Sequence, residues 1–255
     1  MTHNSSHYLE VANPLTDWWP KSLFEIGSVA KALRYDPLKG LSRVSELPTM
    51  KRVELLAMEK MPLGPTAQHV QIAVTLLSMI HGSLSVRNPL LASGRVLVNR
   101  AIEAALDAPI GEDDAPAEPV AGSCCLPIIG ITNLAKTTVW THTMRMLGPQ
   151  VRRFRGTEAS GILEATQLVY LKVAMSHDGT RGGFVTNVLL AIDEALGTRY
   201  AIEIPKKFSG IERQVGAIIA LLHSYYLGVF ILEEAQERTS VSAWESADMQ
   251  LVILS

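Results

Sequence analysis

The stretch from Cys124 to Leu147 constrains the fold more than any other part of the chain. It begins with the continuous apolar run CCLPIIGI and passes through the loop GITNLAKTT. It ends in a segment with helical periodicity, Lys136 to Leu147, that stops before Gly148 and Pro149. A short apolar run rich in isoleucine is typical of a strand buried on both faces. A buried strand that leads through a loop into a helix predicts an α/β fold with a parallel sheet and crossover helices.

The loop in this stretch has the spacing of a phosphate-binding loop, GxxxxGK followed by Ser or Thr. Gly130, Lys136 and Thr137 stand at the required positions, but Ala135 replaces the second glycine and Asn133 also lies in the loop. Such a loop binds phosphate with its own N–H groups and with the N-terminus of the following helix. Asn133 and Ala135 adopt positive φ less readily than glycine, at a cost on the order of 1 kcal/mol per strained residue. The motif by itself leaves a nucleotide site and a coincidence equally open.

A nucleotide site of this class also needs an acidic pair at the end of a later strand. The apolar run VFIL is followed by Glu233 and Glu234, where many ATPases have Asp and Glu. A second pair, Asp193 and Glu194, lies in a segment with helical periodicity that ends at Gly197. We expect that pair to lie on the outer face of a helix. Glu233 and Glu234 are therefore the preferred candidates.

Strands and helices continue to alternate after this loop. QLVYLKVAM and LGVFILEE are predicted strands, while GGFVTNVLLAIDEALGTRY and IERQVGAIIALLHSYYL have helical periodicity. PIGEDDAPAEPVAG is acidic and rich in Pro and Ala, which is typical of a linker, and the chain before it is mostly helical. The predicted organisation is a helical region over residues 1–108, a linker over 109–122 and an α/β core over 123–255.

Composition excludes several classes of protein. The 255-residue chain has a formal net charge of -2, so binding to nucleic acid requires a local basic patch. Arg145, Arg152, Arg153 and Arg155 form such a patch in a predicted loop, although solvated arginines are the more common case. The two cysteines are adjacent, which suits neither a disulfide framework nor a zinc site. No secretory signal is present and no apolar run approaches the roughly 20 residues of a bilayer span, so we expect a cytoplasmic protein without membrane contact.

Several stretches together resemble a known family. They are NPLTDWWP, RYDPLKG, ELPTMKRVELLAMEKMPLGPTAQHV, VRNPL, GITNLAKTT, YLKVAMSHDGTRGGFVTNVLLAIDEALGTRY and GVFILEEAQ, in that order. This series is similar to the AAA+ ATPases that regulate DNA transposition, of the TnsC and TniB type. The resemblance covers nearly the whole chain. VRNPL and the HDG stretch before the helix that ends in LGTRY are its most specific parts, since neither is a general feature of ATPases.

The resemblance implies a P-loop NTPase core of the AAA+ type, with a parallel sheet flanked by helices and a mostly helical region before it. It also implies an ATP- and Mg²⁺-binding protein that forms homo-oligomers and contacts the backbone of duplex DNA. Such a protein links a target-selector protein to a transposase. The implied ATP-binding residues are Gly130, Asn133, Ala135, Lys136, Thr137 and Thr138, the implied magnesium residues are Thr137 and Glu233, and the implied catalytic residue is Glu234.

The sequence departs from the family pattern at three places. Leu-Ala-Lys stands where the family has Gly-x-Gly-Lys, and Glu-Glu stands where it usually has Asp-Glu. The chain also stops after MQLVILS, before the family's arginine finger and helical lid. These departures predict a degenerate and C-terminally truncated relative in which hydrolysis is in question. A pseudo-ATPase or truncated relative, and a protein-interaction module that uses the helical half, are the alternatives.

Three side chains outside the motifs have two interpretations each. Trp18 and Trp19 either belong to a partner surface or hold the N-terminal segment against its own domain, and the second is favoured. Arg181 either contacts DNA phosphate or is solvated, and the solvated state is favoured.

Overall fold

A computed structural model describes residues 13–20, 23, 25–34, 48–52, 64–107, 136–155, 164–176 and 180–233. This part of the chain is a mixture of helices and short strands, as the alternating pattern predicts. The helices are α1 (Ile26–Leu33), α2 (Ala67–Val86), α3 (Ala92–Asp107), α4 (Lys136–Leu147), α5 (Arg181–Leu196), α6 (Tyr200–Lys207) and α7 (Ile211–Ser224). The strands are β1 (Val151–Arg155), β2 (Glu164–Leu168), β3 (Tyr170–Ala174) and β4 (Val229–Glu233). The predicted strand at 124–131 and the predicted linker at 109–122 lie outside the described residues.

The chain divides into two compact units, each discontinuous in sequence. The first, which we call the sheet unit, comprises Met1–Trp18, Ile80–Cys125 and Pro149–Ser255. The second, which we call the α4 unit, comprises Trp19–Met79 and Leu126–Gly148. All four described strands belong to the sheet unit, whereas α1 and α4 belong to the α4 unit. The domain boundaries proposed from the sequence stay a prediction.

The strands of the sheet unit form two separate two-stranded sheets. β1 pairs with β2 in antiparallel orientation, and β3 pairs with β4 in parallel orientation. The prediction of a parallel sheet is therefore confirmed for β3 and β4. The prediction of one strand over QLVYLKVAM is wrong, because the chain changes partner at the buried Val169. The Val169 N–H donates to the Gln150 carbonyl, 2.7 Å away, so the run divides between two sheets.

One face of the β3–β4 sheet carries the main hydrophobic core. Leu171 and Val173 of β3 are buried there together with apolar residues of α5, including Phe184. The Phe184 ring meets the Phe230 ring of β4 edge to face, with 6.4 Å between the ring centroids. Side chains alternate between the two faces of a strand. The opposite face of this sheet therefore carries Lys172 of β3 and Glu233 of β4.

α3 and α7 pack closely in the same unit. Gly216 on α7 faces the Ala105 carbonyl of α3, and a Cβ at this position would collide with that oxygen. The absence of a side chain at Gly216 thus sets how near the two helices can approach.

α5 and α6 are joined through the Asp193 carboxylate. Its Oδ1 accepts hydrogen bonds from the Thr198 hydroxyl at 2.6 Å and the Tyr200 N–H at 2.7 Å, and its Oδ2 accepts from the Ala201 N–H at 2.9 Å. The prediction that Asp193 lies on an outer face is wrong, because this carboxylate satisfies N–H groups at the start of α6. Glu194 is exposed, as expected. α5 ends at Gly197, which has a φ of 71°, so the predicted glycine cap is confirmed.

α2 departs from the expectation that no segment approaches the length of a bilayer span. It has 20 residues and a mean hydropathy of 1.3 over its most apolar window, which is enough for a membrane helix by length and composition. Core helices of soluble proteins meet the same criterion. Polar residues divide α2 into short apolar runs, which is why the sequence did not indicate a span. The mean hydropathy of the helix is nevertheless as high as that of a membrane helix. The buried residues of α2 recur at spacings of three and four, and they include Val70, Ala73, Leu77, Ile80 and Leu84.

The segment before α1 is held by side-chain contacts. The Asn13 amide donates to the Leu84 carbonyl at 3.2 Å, and the Gln167 amide donates to the Leu15 carbonyl at 3.3 Å. The Arg152 guanidinium lies 3.6 Å from the centroid of the Trp18 ring, a distance at which cation–π attraction is favourable. These contacts support the interpretation that this segment is held against its own domain.

Candidate nucleotide site

α4 begins at the lysine of the candidate phosphate loop. The helix runs from Lys136 to Leu147, as the sequence predicts, and its first turn contains no acidic residue. Thr137 is exposed and Thr138 is half-buried. The first N–H groups of a helix have no partner within the helix and carry partial positive charge, which favours an anion. Gly130, Asn133 and Ala135 lie outside the described residues, so only the helical end of the loop has a described geometry.

The position of α4 follows from its buried face. Val139, Met144 and Leu147 are buried, and α4 packs against α1 within the α4 unit. Thr143 is also buried, and its hydroxyl donates to the Val139 carbonyl at 2.8 Å. Burial, with a smaller effect from the charge of Arg145, lowers the pKa of His142. The helix is therefore anchored along its length, while Thr137 stays accessible at its start.

The second predicted element lies at the end of β4. Glu233 is the last residue of this strand, and its carbonyl accepts a hydrogen bond from the Met175 N–H at 3.1 Å. The Glu233 carboxylate is 18% exposed and lies 2.6 Å from the ammonium nitrogen of Lys172. Carboxylate and hydroxyl oxygens suit Mg²⁺, so the chemistry of Thr137 and Glu233 fits the predicted ion. A cation at Glu233 would compete with the Lys172 ammonium. Glu234 lies outside the described residues.

The pairing register explains why Lys172 meets Glu233. In the parallel ladder Lys172 lies opposite Ile231, and Glu233 lies opposite Ala174. Lys172 and Glu233 are thus diagonal neighbours on one face of the sheet, within reach of long side chains. The sequence carries a signal for this residue, a lysine in the middle of the apolar strand YLKVA. The ATPase motif does not include Lys172, because it specifies only the acidic pair.

The described residues contain no cluster of three or more His, Cys, Asp or Glu side chains that could hold a metal ion. Thr137 belongs to the α4 unit and Glu233 to the sheet unit. Each predicted magnesium residue is therefore described only within its own unit.

The arginine patch is not in a loop, contrary to the sequence prediction. Arg152, Arg153 and Arg155 lie on β1, and Arg145 lies on α4. Arg153 and Arg155 are exposed on one face of the strand, whereas Arg152 alternates to the other face and stacks on Trp18. Arg152 faces Trp18, and Arg153 and Arg155 face solvent, which is the alternation expected of a strand. The sequence VRRFR does not indicate a strand because three of its five residues are charged. On β1, Arg153 and Arg155 are left as candidates for contacts with phosphate.

Arg181 is engaged by an acidic side chain. Its guanidinium lies 2.6 Å from the Glu212 carboxylate at the start of α7. Arg181 also follows Thr180, whose hydroxyl caps α5 by accepting a hydrogen bond from the Gly183 N–H at 3.0 Å. This ion pair differs from the predicted solvated arginine and opposes a contact with DNA phosphate.

The VRNPL stretch ends α2 at Val86 and continues into a turn that begins with the buried residues Arg87, Asn88 and Pro89. Arg87 is 8% exposed, and its guanidinium donates to the Ser83 carbonyl, the Ser83 hydroxyl and the Leu227 carbonyl. Burial lowers the pKa of Arg87 to about 10. The Asn88 side chain accepts from the Leu90 N–H at 3.0 Å. These bonds hold the end of α2 against the turn that precedes β4, so this stretch has a structural role at the start of that strand.

Comparison with known proteins leaves the family open. No protein-family model matches the chain, and no curated protein matches it in sequence. The resemblance to AAA+ regulators of transposition therefore enters the functional assignment as a proposal.

Proposed function

We propose that the chain is an ATP-binding regulator of DNA transposition with an AAA+ type P-loop core. The observation that carries this proposal is the start of α4 at Lys136, with Thr137 exposed in the first turn. This start supports the proposal, because phosphate-binding loops have a lysine and a hydroxyl residue at the beginning of the helix that follows the loop. In this proposal Gly130, Asn133, Ala135, Lys136, Thr137 and Thr138 form the phosphate-binding loop.

The β3–β4 pair supports the same proposal. Two neighbouring parallel strands are connected through α5, α6 and α7, and β4 ends in an acidic residue. Ligand-binding residues of parallel α/β sheets lie at the carboxyl ends of the strands. Glu233 occupies such an end and would serve as the magnesium-site acid, with Glu234 as the catalytic acid. Bound magnesium would neutralise charge on the β- and γ-phosphates.

Equilibrium binding of labelled ATP to the full chain tests the proposal. We expect saturable binding at micromolar to millimolar ATP in the presence of magnesium, and a loss of about a hundredfold in Lys136→Ala. Lys206→Ala is the matched control, because Lys206 is an exposed lysine on α6, and it should bind like the unaltered protein. No saturable binding up to millimolar ATP, or equal binding by Lys136→Ala, would reject a nucleotide site at this loop.

DNA contact is proposed at Arg153 and Arg155, because both are exposed on the same face of β1. Neutralisation of phosphates by arginine makes affinity fall steeply with salt. In Arg153→Ala/Arg155→Ala the slope of log Kd against log salt for duplex DNA should fall by about 2, one per lost phosphate contact. The charge-matched control is Arg199→Ala/Arg213→Ala, at two exposed arginines elsewhere. An unchanged slope in the β1 variant would place the DNA contacts elsewhere.

The proposed partners are a transposase, a target-selector protein and further copies of this chain, in the cytoplasm. Co-precipitation of the chain with a transposase from the same genetic element tests the first of these. Nucleotide-dependent growth in size by light scattering tests self-association. Neither test requires hydrolysis, so both remain informative for a protein that binds ATP without turnover.

The second candidate function is a pseudo-ATPase that retains partner contacts. The ion pair between Lys172 and Glu233 favours this candidate, because the Lys172 ammonium already balances the charge of the proposed magnesium-site carboxylate. ATP binding without measurable phosphate release, together with retained transposase binding, would select this candidate over an active ATPase.

A further inference from the structure

We infer that Lys172 is a built-in counter-ion of Glu233 and competes with a divalent cation for its carboxylate. The inference rests on the proposed function for its biological meaning, since that function makes Glu233 the magnesium-site acid. The competition itself can be measured without nucleotide.

The sheet backbone fixes the geometry of the pair. β3 and β4 are hydrogen-bonded over five residue pairs, from Tyr170 with Val229 to Ala174 with Glu233. The bond from the Met175 N–H to the Glu233 carbonyl extends this pairing past the end of β3. On the other face, Leu171 and Val173 are buried in the core. Lys172 and Glu233 therefore start from fixed backbone positions, and the 2.6 Å contact forms without rearrangement of the strands.

The two partners differ in their access to water. The Lys172 side chain is 45% exposed, whereas the Glu233 side chain is 18% exposed. Lys172 also lines a shallow cleft with Gln150, Tyr170, Ala191, Glu194 and Ala195. Because the lysine is flexible and half in solvent, its ammonium can move into water while the carboxylate stays in place. The pair is thus an exchangeable contact in which a cation can replace the ammonium.

Replacement of the ammonium has a cost that lowers cation affinity. A divalent ion that binds Glu233 must first separate this pair, and a half-exposed pair is weak but not negligible. We therefore expect removal of the Lys172 charge to tighten cation binding by about fivefold, with a smaller difference at high salt because exposed charges are screened. An arginine at this position would keep the counter-ion.

Manganese binding to the nucleotide-free full chain, followed by electron paramagnetic resonance of the free ion, tests the inference. Lys172→Met should bind Mn²⁺ about fivefold more tightly than the unaltered protein. Lys172→Arg and the exposed-lysine control Lys206→Met should bind it unchanged. Lys172→Met/Glu233→Gln should lose the gain, because the carboxylate that receives the ion is gone. Thermal unfolding of each variant verifies that all of them are folded.

Two results would overturn the inference. One is equal Mn²⁺ affinity in the unaltered protein and in folded Lys172→Met. The other is a gain that persists in Lys172→Met/Glu233→Gln, which would show a general charge effect. ATP titration in the presence of Mg²⁺, the condition of the proposed function, separates this outcome from that function. Saturable ATP binding without a Mn²⁺ gain rejects the counter-ion alone, and a Mn²⁺ gain without ATP binding rejects the nucleotide site alone.

Discussion

Asp193 and Glu233 each lead an acidic pair of the chain, and the sheet unit uses the two carboxylates in different ways. The Asp193 carboxylate accepts three hydrogen bonds from residues that follow it closely in sequence, and it fixes the turn from α5 to α6. The Glu233 carboxylate instead meets one ammonium, supplied by a half-exposed lysine on the neighbouring strand. The first arrangement cannot release its carboxylate without the loss of helix-capping bonds. The second can exchange its partner for another cation.

The helix or strand that carries an acidic pair determines how its carboxylates are used. Asp-Glu is closer to the usual ATPase motif than Glu-Glu, yet the Asp193 carboxylate already accepts hydrogen bonds from nearby backbone N–H groups. Glu233 is the less usual residue at the first position of the acidic pair, but it lies at the end of a parallel strand. Position at a strand end, more than the choice between Asp and Glu, decides which carboxylate remains available for a ligand.

Of the substitutions that test this difference, Asp193→Ala is expected to change stability most. This substitution removes the carboxylate that accepts hydrogen bonds from two N–H groups at the start of α6 and from one hydroxyl. The free energy of unfolding should therefore fall by ~3 kcal/mol. Urea denaturation followed by circular dichroism measures the change. Glu194→Ala is the adjacent control and should change stability by less than ~0.5 kcal/mol, because Glu194 is exposed. Equal effects of the two variants would remove the structural role of Asp193.

A second, smaller effect concerns Tyr200, whose N–H is held by Asp193. The Tyr200 hydroxyl lies 2.8 Å from that of Tyr225. Burial, followed by this hydrogen bond, raises the pKa of Tyr200 to about 12. Because the folded protein holds this proton more tightly than the unfolded chain, the contribution is complete below pH ~10 and is lost as the pH rises towards ~12.

Thermal unfolding between pH 9 and pH 12 tests this expectation. Tyr200→Phe should be less stable than the unaltered protein near pH 9 and should lose less stability between pH 10 and pH 12. Parallel pH curves for the two proteins would show that the tyrosine pair does not contribute to alkaline unfolding.

The smallest effect is expected for Lys172→Met. A half-exposed ion pair contributes at most ~1 kcal/mol, so urea denaturation should show a change well below that of Asp193→Ala. A loss of stability as large as that of Asp193→Ala would contradict the difference between the two carboxylates. Lys172 and Glu233 would then form a structural contact like those of Asp193.

Sequence periodicity predicted the regular elements well where one physical signal dominated. α4 begins and ends as expected, since a buried face and a following Gly-Pro both specify it. α7 and β4 are likewise confirmed from their apolar patterns, and Gly197 ends α5. Local patterns were sufficient for these elements because their own residues set the bounds.

Elements that depend on distant partners were not predictable in this way. The apolar run around Val169 divides because the residues before Val169 pair with β1 and those after it pair with β4. Periodicity contains no information about these partners. α6 was missed because Pro205 lies inside it, and proline normally indicates a helix end. Its start depends on Asp193, seven residues earlier than Tyr200.

The candidate site shows the same division. The start of α4 at Lys136 followed from the loop motif and the helix that comes after it. The Lys172 partner of Glu233 depended on the register of two strands about 60 residues apart, which the motif does not encode. The exposed face of Arg153 and Arg155 required the strand β1, because only alternation separates them from the stacked Arg152.

The central claim, that residues 130–138 form a phosphate-binding loop, is tested most directly by restoring its glycines. We predict that Asn133→Gly/Ala135→Gly binds labelled ATP about tenfold more tightly than the unaltered protein, because glycine adopts the positive φ of a phosphate-binding loop more readily than asparagine or alanine. The gain should disappear when Lys136→Ala is added. Unchanged ATP affinity in the glycine variant, or a gain that persists without Lys136, would contradict the claim.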